Sequence, residues 1–386
     1  MELNNNKVSH ICLVGDDPTA NLTPLIDKDI PCDRLIIVHT IDQKDQYDNL
    51  YRVAKSRGAK VDSWLLPQTI DTESIKLSFM QLFERESKGA EKDLRHIWLN
   101  SSNGTRQQVL SAYEVARSFQ CPIFIVEAEY DSLCWLYPEE WPLTPIKDKL
   151  KLHEFFEVNG VILTSQKNKQ GIDKKLRELG DRWLEKSSKL HSGLAKLNYL
   201  ASTSKGVKFT SRQDSAMLKD DSLQWLLDDL NQIDLIEIEG SNVSFVDNDV
   251  KFFCNGGWLE EVVFGMVRGL RAELKTIQDD GHSLEVERKI NGKLVKNELD
   301  VVTLVNNKLH IIECKTKRFD NGEGSDTLYK LDSLANVLGG IKATAALVTF
   351  FPITAAEKRR ASELDIEIFD PSKLPRLREC LKDWLS

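Results

Sequence analysis

The sequence predicts an α/β protein in three parts: a mostly parallel N-terminal sheet, a helical connector and a second α/β unit at the C-terminus. Three observations predict it. Short apolar strands alternate with helical patterns as far as residue 127, the signature of βαβ units. Pro138, Pro142 and Pro145, with Trp141 and neighbouring glutamates, then interrupt all periodicity. Past residue 251 a helix, paired strands and further helices follow. The expected divisions are 1–145, 146–250 and 251–386.

Composition bounds the function. At 386 residues with 41% hydrophobic content the chain can bury several cores, and 29% charged residues give a well-solvated surface. Met1–Asn6 has neither a basic nor an apolar secretory region, and no apolar run approaches the ~20 residues of a membrane span. Seven cysteines without a Cys-x-x-Cys pair argue for a reduced cytoplasmic setting and against a zinc ribbon. A net charge of −8 argues against an indiscriminate nucleic-acid coat, so any nucleic-acid surface must be a local basic patch.

In order, Val8–Val14 reads as the first strand, followed by Gly15-Asp16-Asp17-Pro18-Thr19 and a helix starting near Asn21. Leu35–His39, Val61–Leu66, His96–Leu99 and Pro122–Glu127 are the next strands. Gln46–Ser56, Ser74–Glu86 and Gln107–Phe119 are the helices between them. This is a Rossmann-like order, and such sheets bind ligands beyond the carboxyl ends of their strands. Two loops qualify: Gly15–Thr19, with Asp16, Asp17 and Thr19, and Asn100-Ser101-Ser102-Asn103-Gly104-Thr105-Arg106. Gly104 allows close approach and Arg106 supplies a phosphate-pairing fork, although an ordinary capped βα loop explains the same residues. A GxGxxG fingerprint and a GxxxxGK[ST] loop are absent, which disfavours a nicotinamide dehydrogenase and a P-loop NTPase.

In the connector, 171–190, Gly193–Leu200 and Ser222–Ile233 carry helical patterns. Leu235–Glu239 and Val243–Val246 flank a turn at Gly240-Ser241-Asn242. A helix with a β-ribbon is winged-helix-like, but Asp228, Asp229, Glu237 and Glu239 make it acidic and favour a connector over a DNA-reading wing. An amphipathic helix runs from Gly256-Gly257-Trp258 to about Leu274, with Glu260 and Glu261 in its first turn. Strands 283–290 and 296–305 follow around Gly292. Lys289, Lys293 and Lys296 beside that turn, with Lys317 and Arg318, form a candidate phosphate-binding rim. Asp320–Asp326 lacks EF-hand spacing and reads as a flexible loop. A helix at 329–340, a strand at 345–349, and a final strand and helix within 363–386 complete the chain.

The most informative stretch is the hairpin Val301–Val305, Asn306-Asn307, Lys308–Ile312. A two-residue Asn-Asn turn sets Asp300 opposite Glu313, with Cβ atoms ~5 Å apart, and puts Lys315 on the face of Glu313. Two facing carboxylates repel unless a cation lies between them, and hard oxygen ligands suit Mg²⁺ or Mn²⁺. Spacing alone leaves open a surface hairpin that Lys315 neutralises; the apolar run Leu309–Ile312 favours a buried strand.

Asp300, then Glu313-Cys314-Lys315 on the following strand, resembles the PD-(D/E)xK restriction-endonuclease-like superfamily, with Leu299 where a Pro often stands. That resemblance implies Asp300 and Glu313 as metal ligands, Lys315 as a catalytic ammonium, and Glu260 of the Trp-Leu-Glu string as a further ligand. The N-terminal loops resemble the CRISPR-associated Rossmann fold (CARF), in which Asn-x-(Thr/Ser)-x-Gly-Thr-(Lys/Arg) cradles a cyclic oligoadenylate. Asn100, Ser102, Gly104, Thr105 and Arg106 match it, Asn103 stands where many members have a second Gly, and Asp16, Asp17 and Thr19 occupy the first loop. With the string Asp131–Pro138, the resemblance spans nearly the whole chain. It implies a homodimeric ancillary nuclease of type III CRISPR antiviral defence, switched on by cyclic tetra-adenylate and acting on DNA or RNA. A non-catalytic ligand-responsive regulator and a ligand-independent DNA-repair nuclease are the alternatives.

Overall fold

The computed structural model describes residues 8–87, 96–127, 130–167, 173–290, 292–319 and 322–386. Its first sheet comprises β1 (Ser9–Leu13), β2 (Arg34–His39), β3 (Lys60–Leu65), β4 (Ile97–Asn100), β5 (Ile123–Glu127), β6 (Ser132–Tyr137) and β7 (Thr144–Pro145), in the order β3-β2-β1-β4-β5-β6-β7. The first five strands are parallel and β6 and β7 antiparallel. The expected strand–helix alternation is therefore present, extended by an antiparallel edge.

Beyond Pro145 the division differs from expectation. Helix Leu152–Val158 packs on helix Lys44–Ser56, fixed by Arg57, whose guanidinium donates to both carboxylate oxygens of Glu154. Strand β8 (Val161–Lys167), inside the stretch expected as connector, pairs with a strand at Ile277–Ile290 and belongs to the C-terminal sheet. Helices Lys174–Glu185, Ser187–Thr203 and Asp221–Asn231 follow. A small antiparallel sheet has the order β10-β11-β9, built from β9 (Thr210–Arg212), β10 (Ile236–Glu239) and β11 (Asn242–Phe245). The start of the helix expected over 171–190 lies outside the described residues.

The C-terminal sheet contains β12 (Ile277–Ile290), β13 (Lys293–Val305), β14 (Lys308–Lys315), β15 (Ala343–Thr349) and β16 (Ile366–Phe369), in the order β16-β15-β14-β13-β12-β8. Helix Trp258–Leu270 covers one face, burying Trp258, Leu259, Val262, Val263, Phe264, Val267 and Leu270, each worth about 1.5–3 kcal/mol. Helix Glu323–Gly339 covers the other face. It starts earlier than its apolar spacing suggested, so 323–326 is helical rather than loop; Asp320 and Asn321 lie outside the described residues. One core runs through both halves, joining Leu35, Leu50 and Val53 through Phe155 and Phe156 to Val302, Leu309 and Leu331. The sensor-like and nuclease-like parts therefore share packing.

Candidate active site and ligand loops

The hairpin forms with the register set by its turn: Val305 faces Lys308 and Val301 faces Ile312. Asn306 and Asn307 have φ of 47° and 58°, the left-handed pair of a type I′ turn. At the next step, where Asp300 would face Glu313, regularity ends. Leu299 and Val302, three residues apart, share one core while Val301 faces the other, so side-chain alternation slips at Asp300. Ser283, flanked by the pairs Leu284–Leu299 and His282–Val301, has φ of 44°. The carboxylate of Asp300 accepts the backbone N–H of Cys314 at 2.8 Å, and Lys315 forms an ion pair with Glu313.

Glu260 reaches the group from the first turn of helix Trp258–Leu270. Just before that helix, Gly256, at φ 113°, lies against the residue that follows Lys315: a Cβ there would lie 2.2 Å from Thr316 Oγ1. The electrostatics mark a site short of positive charge. Burial pushes the Glu260 carboxyl up to about 9, and the charges of Asp300 and Glu298 add to it. Burial and then Glu313 push Asp300 up to about 7. Burial opposes the Lys315 charge, but Glu313 and Asp300 outweigh it and hold the ammonium above its ordinary value. The buried Cys314 thiol is pushed well above its normal range and is inert as a nucleophile.

This donor set fits a divalent cation. Asp300 and Glu313 offer hard oxygens from adjacent strands, Glu260 stands behind them, and one ammonium faces three carboxylates. Among the described residues no three His, Cys, Asp or Glu side chains already converge as a metal cage. Asp300 and Glu313 would hold such an ion only with waters or substrate oxygens completing its shell.

Two hollows open beside these groups. One, of about 410 Å³, is lined by Lys315, Lys317, Arg318 and Lys330 among others. The second, of about 470 Å³, lies between the connector and the nuclease sheet and includes Asn198, Tyr199, Asn255 and Thr316. Sequence reading found Lys317 and Arg318 but missed Lys330, Asn198 and Tyr199, whose helical spacing carries no sign of the cavity. Asn198 donates to the carbonyl of Thr316 at 3.1 Å, tying the connector to the catalytic strand end. The rim expected around Gly292 is elsewhere: Lys293 is seven residues up the ribbon from Asp300, roughly 23 Å away. Lys296 there pairs with Glu287 at 3.0 Å.

At the other candidate site the two loops meet as expected. A Cβ on Gly15 would lie 2.8 Å from the Gly104 nitrogen, and Gly104 has φ of 113°. Asn103 accepts the N–H of Asp17 at 3.0 Å and donates to its carbonyl at 2.7 Å. Asn100 donates to the Ala20 carbonyl at 2.8 Å and accepts from the backbone and hydroxyl of Ser102. Thr105 caps the following helix. Asn100, Asn103 and Thr19 are buried and shape the loops, whereas Asp16, Thr105 and Arg106 are exposed and Ser102, Gly104 and Asp17 partly so.

A Rossmann-like sheet with paired polar loops, fused through a connector to a carboxylate–lysine centre, defines a sensor–nuclease. The comparisons with known proteins agree. A family model for the Card1-like endonuclease domain matches residues 247–386. The crystal structure of protein VC1899 from Vibrio cholerae superposes with a TM-score of 0.91 at 36% identity, covering 97% of each chain. Can2 from Sulfobacillus thermosulfidooxidans, solved with cyclic tetra-adenylate, shares the fold with a TM-score of 0.78 at 24% identity, over 98% of this chain and 97% of that one. A type III CRISPR defence DNA nuclease activated by cyclic oligoadenylate gives 0.57 at 13% identity, over 97% of this chain and 52% of that one. A comparison with curated proteins gave no match. The chain belongs to the family of VC1899, and its Card1-like endonuclease domain together with the shared fold makes it a CARF-domain effector nuclease. Among the described residues no helix is long and apolar enough to cross a membrane.

Proposed function

We propose that this protein is a divalent-metal-dependent endonuclease that hydrolyses phosphodiester bonds in DNA, with RNA the second substrate class to test, and is activated by a cyclic oligoadenylate, cyclic tetra-adenylate first, in type III CRISPR defence. The observation that carries the reading is the pair of carboxylates Asp300 and Glu313 on adjacent strands, with Lys315 on Glu313 and the buried Glu260 within reach of their charges, in a chain that also presents the loops Gly15–Thr19 and Asn100–Arg106. Asp300 and Glu313, with Glu260, are the residues that would hold Mn²⁺ or Mg²⁺. The bound ion supplies a water of lowered pKa and neutralises charge on the scissile phosphate. Lys315, paired with Glu313 in this structure, would supply the ammonium that positions the attacking water or a phosphate oxygen. Asp16, Thr105 and Arg106 are the exposed groups through which the paired loops would meet the activator, with Asp17, Thr19, Asn100, Ser102, Asn103 and Gly104 shaping the cradle. A two-fold ring suits an isologous homodimer closing over it, testable by sedimentation with and without ligand.

The test is a Mn²⁺ cleavage assay on plasmid, single-stranded DNA and RNA, with and without cyclic tetra-adenylate. Cleavage that needs both metal and activator supports the reading. Equal cleavage without activator removes the switch, and no cleavage of any substrate removes the catalysis. Glu313→Ala and Lys315→Ala are expected to lower the rate at least about 10²-fold while activator binding, followed by titration, stays intact. Full cleavage by either variant overturns the site.

A further inference from the structure

The candidate activator loop is held by a residue of the nuclease half. Lys342 lies in the single turn Gly340–Lys342 between helix Glu323–Gly339 and β15. It is 5% exposed. Its ammonium is 3.0 Å from Asp17 Oδ2 and donates to Thr19 Oγ1 at 2.9 Å. Thr19 also donates to the other Asp17 oxygen, and the Asp17 backbone is clamped by Asn103. Asp17 is therefore the point where the first loop, the second loop and the nuclease half meet. A buried ammonium is costly without a partner, so rearrangement of this carboxylate must change what Lys342 contacts.

The other end of the same element reaches the chemistry. Lys342 immediately precedes β15, which runs parallel to β14 with Leu347 beside Glu313 and Thr349 beside Lys315. Seven residues of strand span roughly 23 Å.

Resting on the function proposed above, we infer that Lys342 is the positioning residue that links the activator loop to the nuclease centre, with β15 as the element that both sites bias. Activator binding at the paired loops remakes the Lys342–Asp17–Thr19 contacts, and β15 re-aims the catalytic end of β14. The linkage is reciprocal, since any coupling free energy acts on both sites equally.

The experiment uses the full chain, with Lys342→Met and with Lys342→Gln, which keeps a donor for Thr19 but loses the charge. Cyclic tetra-adenylate binding, the cleavage rate with and without saturating activator, and thermal melting are measured together. The expected result is folded variants whose stimulation ratio falls about tenfold or more while the activator still binds. A folded variant with the wild-type ratio overturns the link, as does one that loses affinity but recovers the full ratio at saturation. A wild-type protein that cyclic tetra-adenylate does not stimulate overturns the activator reading, and this inference with it. Stimulation of wild type and variants alike overturns the link alone. Should both variants unfold, hydrogen exchange of wild-type residues 343–349 decides: changed protection on activator addition supports the link, and unchanged protection overturns it.

Discussion

Glu260 combines two requirements that conflict. To serve as the proposed metal ligand it must be ionised, yet burial and the neighbouring carboxylates hold it protonated, up to about 9 against an ordinary 4.5. A carboxyl whose pKa is raised on folding keeps its proton in the folded state while the unfolded chain ionises. The resulting penalty on stability grows as pH rises from 4.5 to about 9. Glu260→Gln removes that penalty. In the presence of a chelator this variant is expected to melt higher than wild type, with the gain larger at pH 8 than at pH 6, and to be impaired in cleavage. Equal melting temperatures at both pH values contradict the assignment. Metal uptake by the wild type should release protons at pH 7.5, seen in calorimetry as heats that vary with buffer.

At the scale of elements, the β13–β14 hairpin shows what a sequence discloses and what it withholds. The Asn-Asn turn and its register follow from local rules, and so the pairing of Asp300 with the Glu313 strand was legible. The slip at Asp300 was not, because it depends on β12 and its left-handed Ser283. Nor was the place of β8, which joins a sheet 110 residues further on through pairing that no local pattern encodes. The two turn residues also differ in a way their identity hides. Asn307 is 1% exposed; its amide donates to Asp131, accepts from the Leu150 N–H at 3.1 Å and from Gln278 at 2.8 Å. Glycine tolerates both left-handed positions. Asn306→Gly is therefore expected to change stability by under about 0.5 kcal/mol, while Asn307→Gly strands several buried polar groups and costs at least about 2 kcal/mol. Denaturant melts of both variants test the contrast, and similar midpoints refute it. Gly256 makes a parallel case: any side chain meets Thr316 and strains a backbone at φ 113°. Gly256→Ala should cost about 1–3 kcal/mol and lower cleavage by shifting Glu260 relative to Asp300, without changing activator affinity.

At the scale of the whole molecule, a chain of net charge −8 must attract a polyanion through a confined field. On the function proposed, the cations that would do so line the hollow beside the end of β14, Lys315, Lys317, Arg318 and Lys330, which outnumber the carboxylates Glu323 and Asp326 there. Arg318 lies over the Phe351 ring at 5.3 Å, which fixes its guanidinium at the mouth. Binding carried by such a confined patch should rest on few phosphate contacts and weaken with salt. Each phosphate contact contributes about −0.7 to the slope of log K against log salt for a single strand and about −0.9 for a duplex. Lys317→Ala with Arg318→Ala is then expected to weaken binding and flatten that slope by about 1.4 on single strands. Activator affinity should be unchanged, since both residues lie at the catalytic end of β14 and the activator loops pack against the Lys342 end of β15. Lys293→Ala, far up the β12–β13 ribbon, should leave the slope unaltered. A flattened slope in the Lys293 variant, or none in the double variant, moves the nucleic-acid path to the ribbon and away from the hollow beside Lys315.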